Sequence, residues 1–153
     1  MSTAVDLLNE SFDPAAELAR FSESVDGEGA VVSFAGYARS KASDGSQVLD
    51  LVLETYRGAT LASMEAIASD AVSRFDITRC RVVHRAGRIS PGEAIVFVAT
   101  ASAHRRAAFD AADYLMDRLK TEAVFWKREE GPDGKRWIEP TDGDARDRAR
   151  WSD

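Results

Sequence analysis

The chain has 153 residues, 44% of them hydrophobic and 30% charged, a single-domain length with enough apolar material for one core. Its net charge of −6 argues against general nucleic-acid binding, which needs a basic face. One cysteine and two histidines exclude an intramolecular disulfide framework and leave too few soft ligands for a structural zinc, so neither a metal nor a resident cofactor is expected.

Residues 1–12 read as a frayed end or a short edge strand. Their acidic residues, Asp6 and Glu10, and the absence of a basic-then-apolar pattern argue against a signal peptide. No run reaches the ~20 apolar residues of a membrane span, so a soluble, cytoplasmic protein with no membrane partner is expected. Asp13-Pro14 is an N-cap followed by proline at the first helical position, and it opens a helix over 14–24 with Leu18, Phe21 and Val25 inward.

Residues 30–38 read as a strand whose second face carries Ser33, Ala35, Tyr37 and Arg39, the pattern of a strand running out into a pocket. Lys41 to Gln47 is polar and turn-rich and reads as a mobile loop. A strand over 48–56 follows, then a helix capped by Thr60 with Leu61, Met64, Ala68, Ala71, Val72 and Phe75 on one face. Residues 77–87 form a strand and Ser90-Pro91-Gly92 a turn.

The central stretch begins at Ala94. Residues 94–101 are continuously apolar, as in a strand covered on both faces. Ala108, Ala111, Ala112, Leu115, Met116 and Leu119 then recur at helical spacing, predicting a helix over 103–121 with Ser102 as N-cap. His104, Arg105 and Arg106 fall in its first turn, the end of a helix that is already partly positive. Either these side chains splay into solvent, or an anion such as phosphate rests there.

Lys120 lies fifteen residues beyond Arg105, roughly 22 Å along the helix at 1.5 Å per residue. One small substrate cannot touch both within one chain. If both are functional, a second copy must bring its helix N-terminus to Lys120.

Strands over 123–129 and 135–139 flank a Gly131-Pro132-Asp133-Gly134 turn. Lys120 and Lys127 converge if the chain reverses at 121–123. They then lower each other's pKa; otherwise one complements the helix dipole and the other is a solvated strand residue. Alternation puts Phe125 on the face of Lys127. Cys80 and His84 share a strand face with Val82 and read as core. Residues 141–153 form a polar, loosely attached C-terminal tail after a single domain over 1–140. Hairpins interrupt the alternation of strands and helices, so the expected class is α+β.

Several segments resemble the large, catalytic subunit of molybdopterin synthase: SFAGYAR (33–39), LETY (53–56), HRAGRISPGEAIVFV (84–98), SAHRRAAFDA (102–111) and LKTEAVFWKRE (119–129). The resemblance covers about Gly29 to Trp137. It implies an α/β-hammerhead type fold, with a mixed or antiparallel sheet and packed helices. It further implies a homodimeric core, each end of which binds a small ubiquitin-like sulfur-carrier subunit to make a heterotetramer. The activity implied is a sulfurtransferase of molybdenum cofactor biosynthesis. The carrier's C-terminal thiocarboxylate supplies sulfur to cyclic pyranopterin monophosphate, forming the molybdopterin dithiolene.

By the same resemblance Arg39, His104, Arg105, Lys120 and Lys127 line the site. Arg39 with the partner chain's His104 and Arg105 holds the phosphate; Lys120 acts as general acid or nucleophile, and Lys127 places charge and substrate. Three positions depart from the family pattern. Ala38 stands for a valine, Thr55 for a histidine and Val124 for a proline, the last in the segment that sets Lys127. The alternative is a non-catalytic homodimeric module that binds a ubiquitin-like tail or a phosphorylated ligand; a plain phosphate-binding scaffold is a third reading.

Overall fold

The computed structural model describes residues 2–152. Its first half contains β1 (Ser2–Leu8), α1 (Pro14–Ser24), β2 (Ala30–Tyr37), β3 (Asp50–Thr55) and α2 (Arg57–Arg74). The second half contains β4 (Arg79–Arg85), β5 (Gly87–Ile89), β6 (Ala94–Ser102), α3 (Arg105–Glu122), β7 (Phe125–Gly131), β8 (Gly134–Ile138) and α4 (Asp142–Ala149).

The strands form two four-stranded sheets, ordered β1-β4-β6-β2 and β5-β3-β7-β8. Only β1 and β4 pair in parallel; the other named pairings are antiparallel. The mixed α+β class expected from the sequence is the one observed.

Strand β6 explains its own composition. Val96 and Val98 pack with Met64 and Ile67 of α2 and with Ala111 and Leu115 of α3. Phe97, Ala99 and Ala101 turn to the other face, against Phe21 of α1 and Val83 of β4. A strand roofed by helices on both sides has no polar face to alternate with, hence the continuous apolar run. Thr100 fits because its hydroxyl donates to the Ala108 carbonyl at 2.7 Å, tying β6 to α3.

The second sheet has a smaller core of Ala38, Leu51, Leu53 and Ile89, against which Ile95 and Phe125 pack. Its β7–β8 hairpin reverses at the predicted turn, where Gly134 takes φ +122, a conformation that side chains resist. A Cβ on Gly131 would lie 2.7 Å from the Gln47 carbonyl oxygen, so this glycine lets the hairpin pass close to the 41–47 segment.

Helix α1 starts as predicted, with the Asp13 side chain accepting from the Ala15 N–H at 3.0 Å. Other expectations are corrected. The N-cap of α3 is His104, not Ser102. Ser102 ends β6, donates to the Asp76 carbonyl and accepts from the His104 N–H.

Thr60 is not a cap either: it lies buried inside α2, accepting from the Tyr56 N–H and donating to the Val124 carbonyl. The 41–47 segment, expected to be mobile, closes on itself through the Lys41–Gln47 bridge. It is also tied to β8 by Arg136, which donates to Asp44 at 2.8 Å.

The largest correction is the C-terminal segment, expected to hang loosely. It forms α4 and docks on α3. The Nε1 of Trp151 and a guanidinium N–H of Arg150 both donate to Asp117 at 2.6 Å. Met1 and Asp153, which fall in the predicted terminal segments, lie outside the described residues.

Candidate active site

The site grows from one strand position. Lys127 lies in β7, opposite Leu53 of β3 and Ile138 of β8. Strand alternation gives Phe125 the same face, and the Phe125 ring stacks on His84 of β4 with centroids 4.3 Å apart and planes 29° apart. The apolar wall expected beside the amine is therefore present, with an imidazole behind it.

Burial lowers the Lys127 pKa below the ordinary lysine range, and the positive charges of Lys120 and Arg39 add to the effect. Glu129 and Asp144 oppose it. Lys120 and Arg39 are thus near enough for their charges to act on Lys127, bringing the end of α3 and the loop after β2 toward the middle of β7. A half-buried amine among like charges holds its proton less tightly than an ordinary lysine, which favours proton transfer.

Lys120 stands in the last turn of α3 with its side chain 60% exposed, and its Nζ lies 3.6 Å from Asp144 Oδ1. Behind Lys127, His84 is nearly buried, and its Nδ1 lies 2.8 Å from the Arg85 carbonyl. Burial lowers its pKa to about 4, with the Lys127 charge acting in the same direction. A neutral imidazole donates through Nδ1 to that carbonyl. Cys80 is not a reactive thiol, since burial pushes its pKa up to about 12.

The entry to β7 departs from the family pattern at Val124, yet it is held firmly. The Val124 N–H, which a proline would lack, donates to Ser63 Oγ at 3.1 Å, and its carbonyl accepts from Thr60.

His104 and Arg105 do not join this group within one chain. They sit exposed at the opposite end of α3, with no acidic residue in the first turn to answer them. Beside them is a hollow lined by Val32, Phe34, Arg105, Phe109 and Met116, between β2 and α3. The five predicted residues thus divide into a cluster of three and a pair roughly 22 Å away along the helix.

Asp144 was not foreseen. Its signal was nonetheless in the sequence: Thr141 and Asp144 form a capping box, each side chain bonded to the other's backbone N–H at 3.0 Å.

Residues 7–122 match the family model described as MoaE protein. The chain belongs to the MoaE family. It is 50% identical over 147 residues to the molybdopterin synthase catalytic subunit of Caulobacter vibrioides, covering 96% of each chain. Among solved structures it resembles the molybdopterin biosynthesis MoaE protein of Burkholderia ambifaria, with a TM-score of 0.81 and 37% identity over 98% of both chains. A third likeness, at 16% identity and a TM-score of 0.73, covers 88% of this chain and 89% of the other. It is to a protein–protein complex of subunits 1 and 2 of molybdopterin-converting factor from Helicobacter pylori, and shows the fold alone.

This MoaE-family chain is an enzyme of the molybdopterin synthase type, with a role in molybdenum cofactor biosynthesis. Among the described residues no helix is long and apolar enough to cross a membrane.

Proposed function

We propose that the chain transfers sulfur from the C-terminal thiocarboxylate of a small ubiquitin-like carrier subunit to cyclic pyranopterin monophosphate. The observation that carries this reading is the approach of Arg39 and Lys120 to Lys127, with Lys127 half-buried. A thiocarboxylate and a phosphate are both anions, and a cluster of cations in an otherwise acidic protein attracts them selectively.

Lys120, at the exposed mouth, acts on the thiocarboxylate and acceptor as general acid or nucleophile. Lys127 contributes its charge from the strand, and Arg39 receives the phosphate. The Helicobacter pylori neighbour of like fold is itself a complex of two subunits. The setting we propose is the cytoplasm.

Completing the phosphate site requires His104 and Arg105 from a second copy. Two features support such a homodimer. Strand β2 is an edge of its sheet, and Phe34 and Phe109 are exposed beside Arg105. We place the twofold contact on that face, where an isologous interface carries each copy's α3 N-terminus toward its neighbour.

The test is single-turnover conversion of cyclic pyranopterin monophosphate by purified protein with a thiocarboxylated carrier, native and Lys120→Ala in parallel. Dithiolene formed by the native chain and lost by the folded variant is expected. Carrier binding with no product from the native chain would favour a module that docks the tail without turnover.

A further inference from the structure

We propose that Asp144, carried on α4, is a positioning residue of the sulfur-transfer site, its carboxylate holding the Lys120 ammonium beside Lys127. The inference rests on the reading above, in which both lysines take part in the reaction.

The first argument is how the carboxylate is fixed. Its Oδ2 accepts from the Thr141 N–H at 3.0 Å, closing the capping box, while Oδ1 lies 3.6 Å from Lys120 Nζ. Formation of the helix thus sets the side chain, and one oxygen is left facing the lysine. The carboxyl pKa lies below its ordinary value despite the desolvation that acts against this: the bond from Thr141 and the Lys120 charge prevail.

The second argument is where α4 is gripped. Asp117, three residues before Lys120, accepts from Arg150 and Trp151; Glu122, two residues after it, pairs with Arg148. The Trp151 ring stands edge-on to Phe75 and Tyr114, with centroids 5.6 and 5.5 Å away. The C-terminal segment therefore clasps α3 on both sides of the lysine in sequence.

The third argument is charge. A long, exposed lysine near the Lys127 charge is repelled by it, which favours solvent. A carboxylate on the near side offsets that repulsion. An exposed ion pair adds little to stability, so its effect is on where Nζ sits. The charged and titratable groups that act on or feel Lys127 are Arg39 after β2, His84 on β4, Lys120 on α3, Glu129 on its own strand and Asp144 on α4.

The experiment compares native full-length protein with Lys120→Ala, Asp144→Asn, Asp144→Glu and Thr141→Ala. Each is assayed by single turnover with thiocarboxylated carrier across pH 6 to 10. Thr141→Ala breaks the same capping box but keeps the carboxylate. The inference predicts a roughly tenfold loss in Asp144→Asn, as for a misplaced catalytic group, with most of the rate restored in Asp144→Glu and kept in Thr141→Ala. It also predicts that the alkaline limb of the Asp144→Asn profile moves to lower pH, because a charge that keeps Lys127 protonated is gone.

Native rates in Asp144→Asn, with Lys120→Ala dead, would overturn the inference and leave the sulfur-transfer reading standing. So would a rate increase in Asp144→Asn, which would make the carboxylate a blocker of the pocket. Equal losses in Thr141→Ala and Asp144→Asn with unmoved limbs would reduce Asp144 to a helix cap. Full activity in Lys120→Ala would sink the underlying reading itself.

Discussion

Trp151 Nε1 donates to Asp117 Oδ2 at 2.6 Å, joining the last turn of the chain to the middle of α3 across 34 positions. The same indole closes an aromatic cluster with Phe75 and Tyr114. Replacing Trp151 by Ala removes both the ring contacts and the bond to a nearly buried carboxylate, and should cost about 2 kcal/mol. Trp151→Phe keeps much of the ring packing and should cost about half as much. Urea unfolding of the three proteins measures this; a midpoint unchanged in Trp151→Ala would mean the indole does not hold the segment.

His84 makes stability depend on pH in a defined window. Its folded pKa of about 4 lies below the ordinary 6.5, so the unfolded chain binds the extra proton first. The stabilisation is complete above pH 6.5, is lost as pH falls toward 4, and amounts to on the order of 3 kcal/mol across that span. Between pH 6.5 and 5, above the titration of ordinary carboxylates, denaturant midpoints should fall for the native protein and stay nearly flat for His84→Gln. Parallel slopes would show that another group is responsible.

The proposed twofold contact is open to a direct trial. Phe34 and Phe109 are 45% and 54% exposed and line the hollow beside Arg105, so a charge at either place disturbs the contact rather than the lysine cluster. Phe34→Asp and Phe109→Asp should shift the mass measured by light scattering toward the monomer and lower turnover with it. A native-sized assembly in both variants would move the contact elsewhere.

Much of this arrangement was legible in the sequence because local chemistry dictates it. Asp13-Pro14 starts α1 by filling an orphan N–H and supplying a preset φ; the 131–134 turn fixes the β7–β8 hairpin. The continuous run from Ala94 needs only the rule that a strand without a polar face is covered twice.

What escaped depends on long-range partners. Residues 142–149 have no apolar face, so periodicity offered nothing; their helix is held by ionic ties to α3 and by an indole lying beyond it. Thr60 resembles a cap until the Val124 carbonyl arrives from 64 positions away. The approach of Arg39 to Lys127 joins the end of a strand in one sheet to a strand in the other, which no local window contains; only the family resemblance pointed to it.

Helix α3 carries Arg105 at one end and Lys120 at the other, and in the homodimer we propose a shared site gives each copy's helix two different employers. Inheritance then separates from location: a chain damaged at Arg105 spoils its neighbour's pocket and spares its own. Two inactive proteins, Arg105→Ala and Lys120→Ala, should therefore repair one another when their subunits are exchanged. A hybrid pair unites both defects in one pocket and leaves the other whole, so random mixing should return about a quarter of native turnover. Activity from a mixture of two dead enzymes would be the signature of a helix whose ends serve different halves of the assembly.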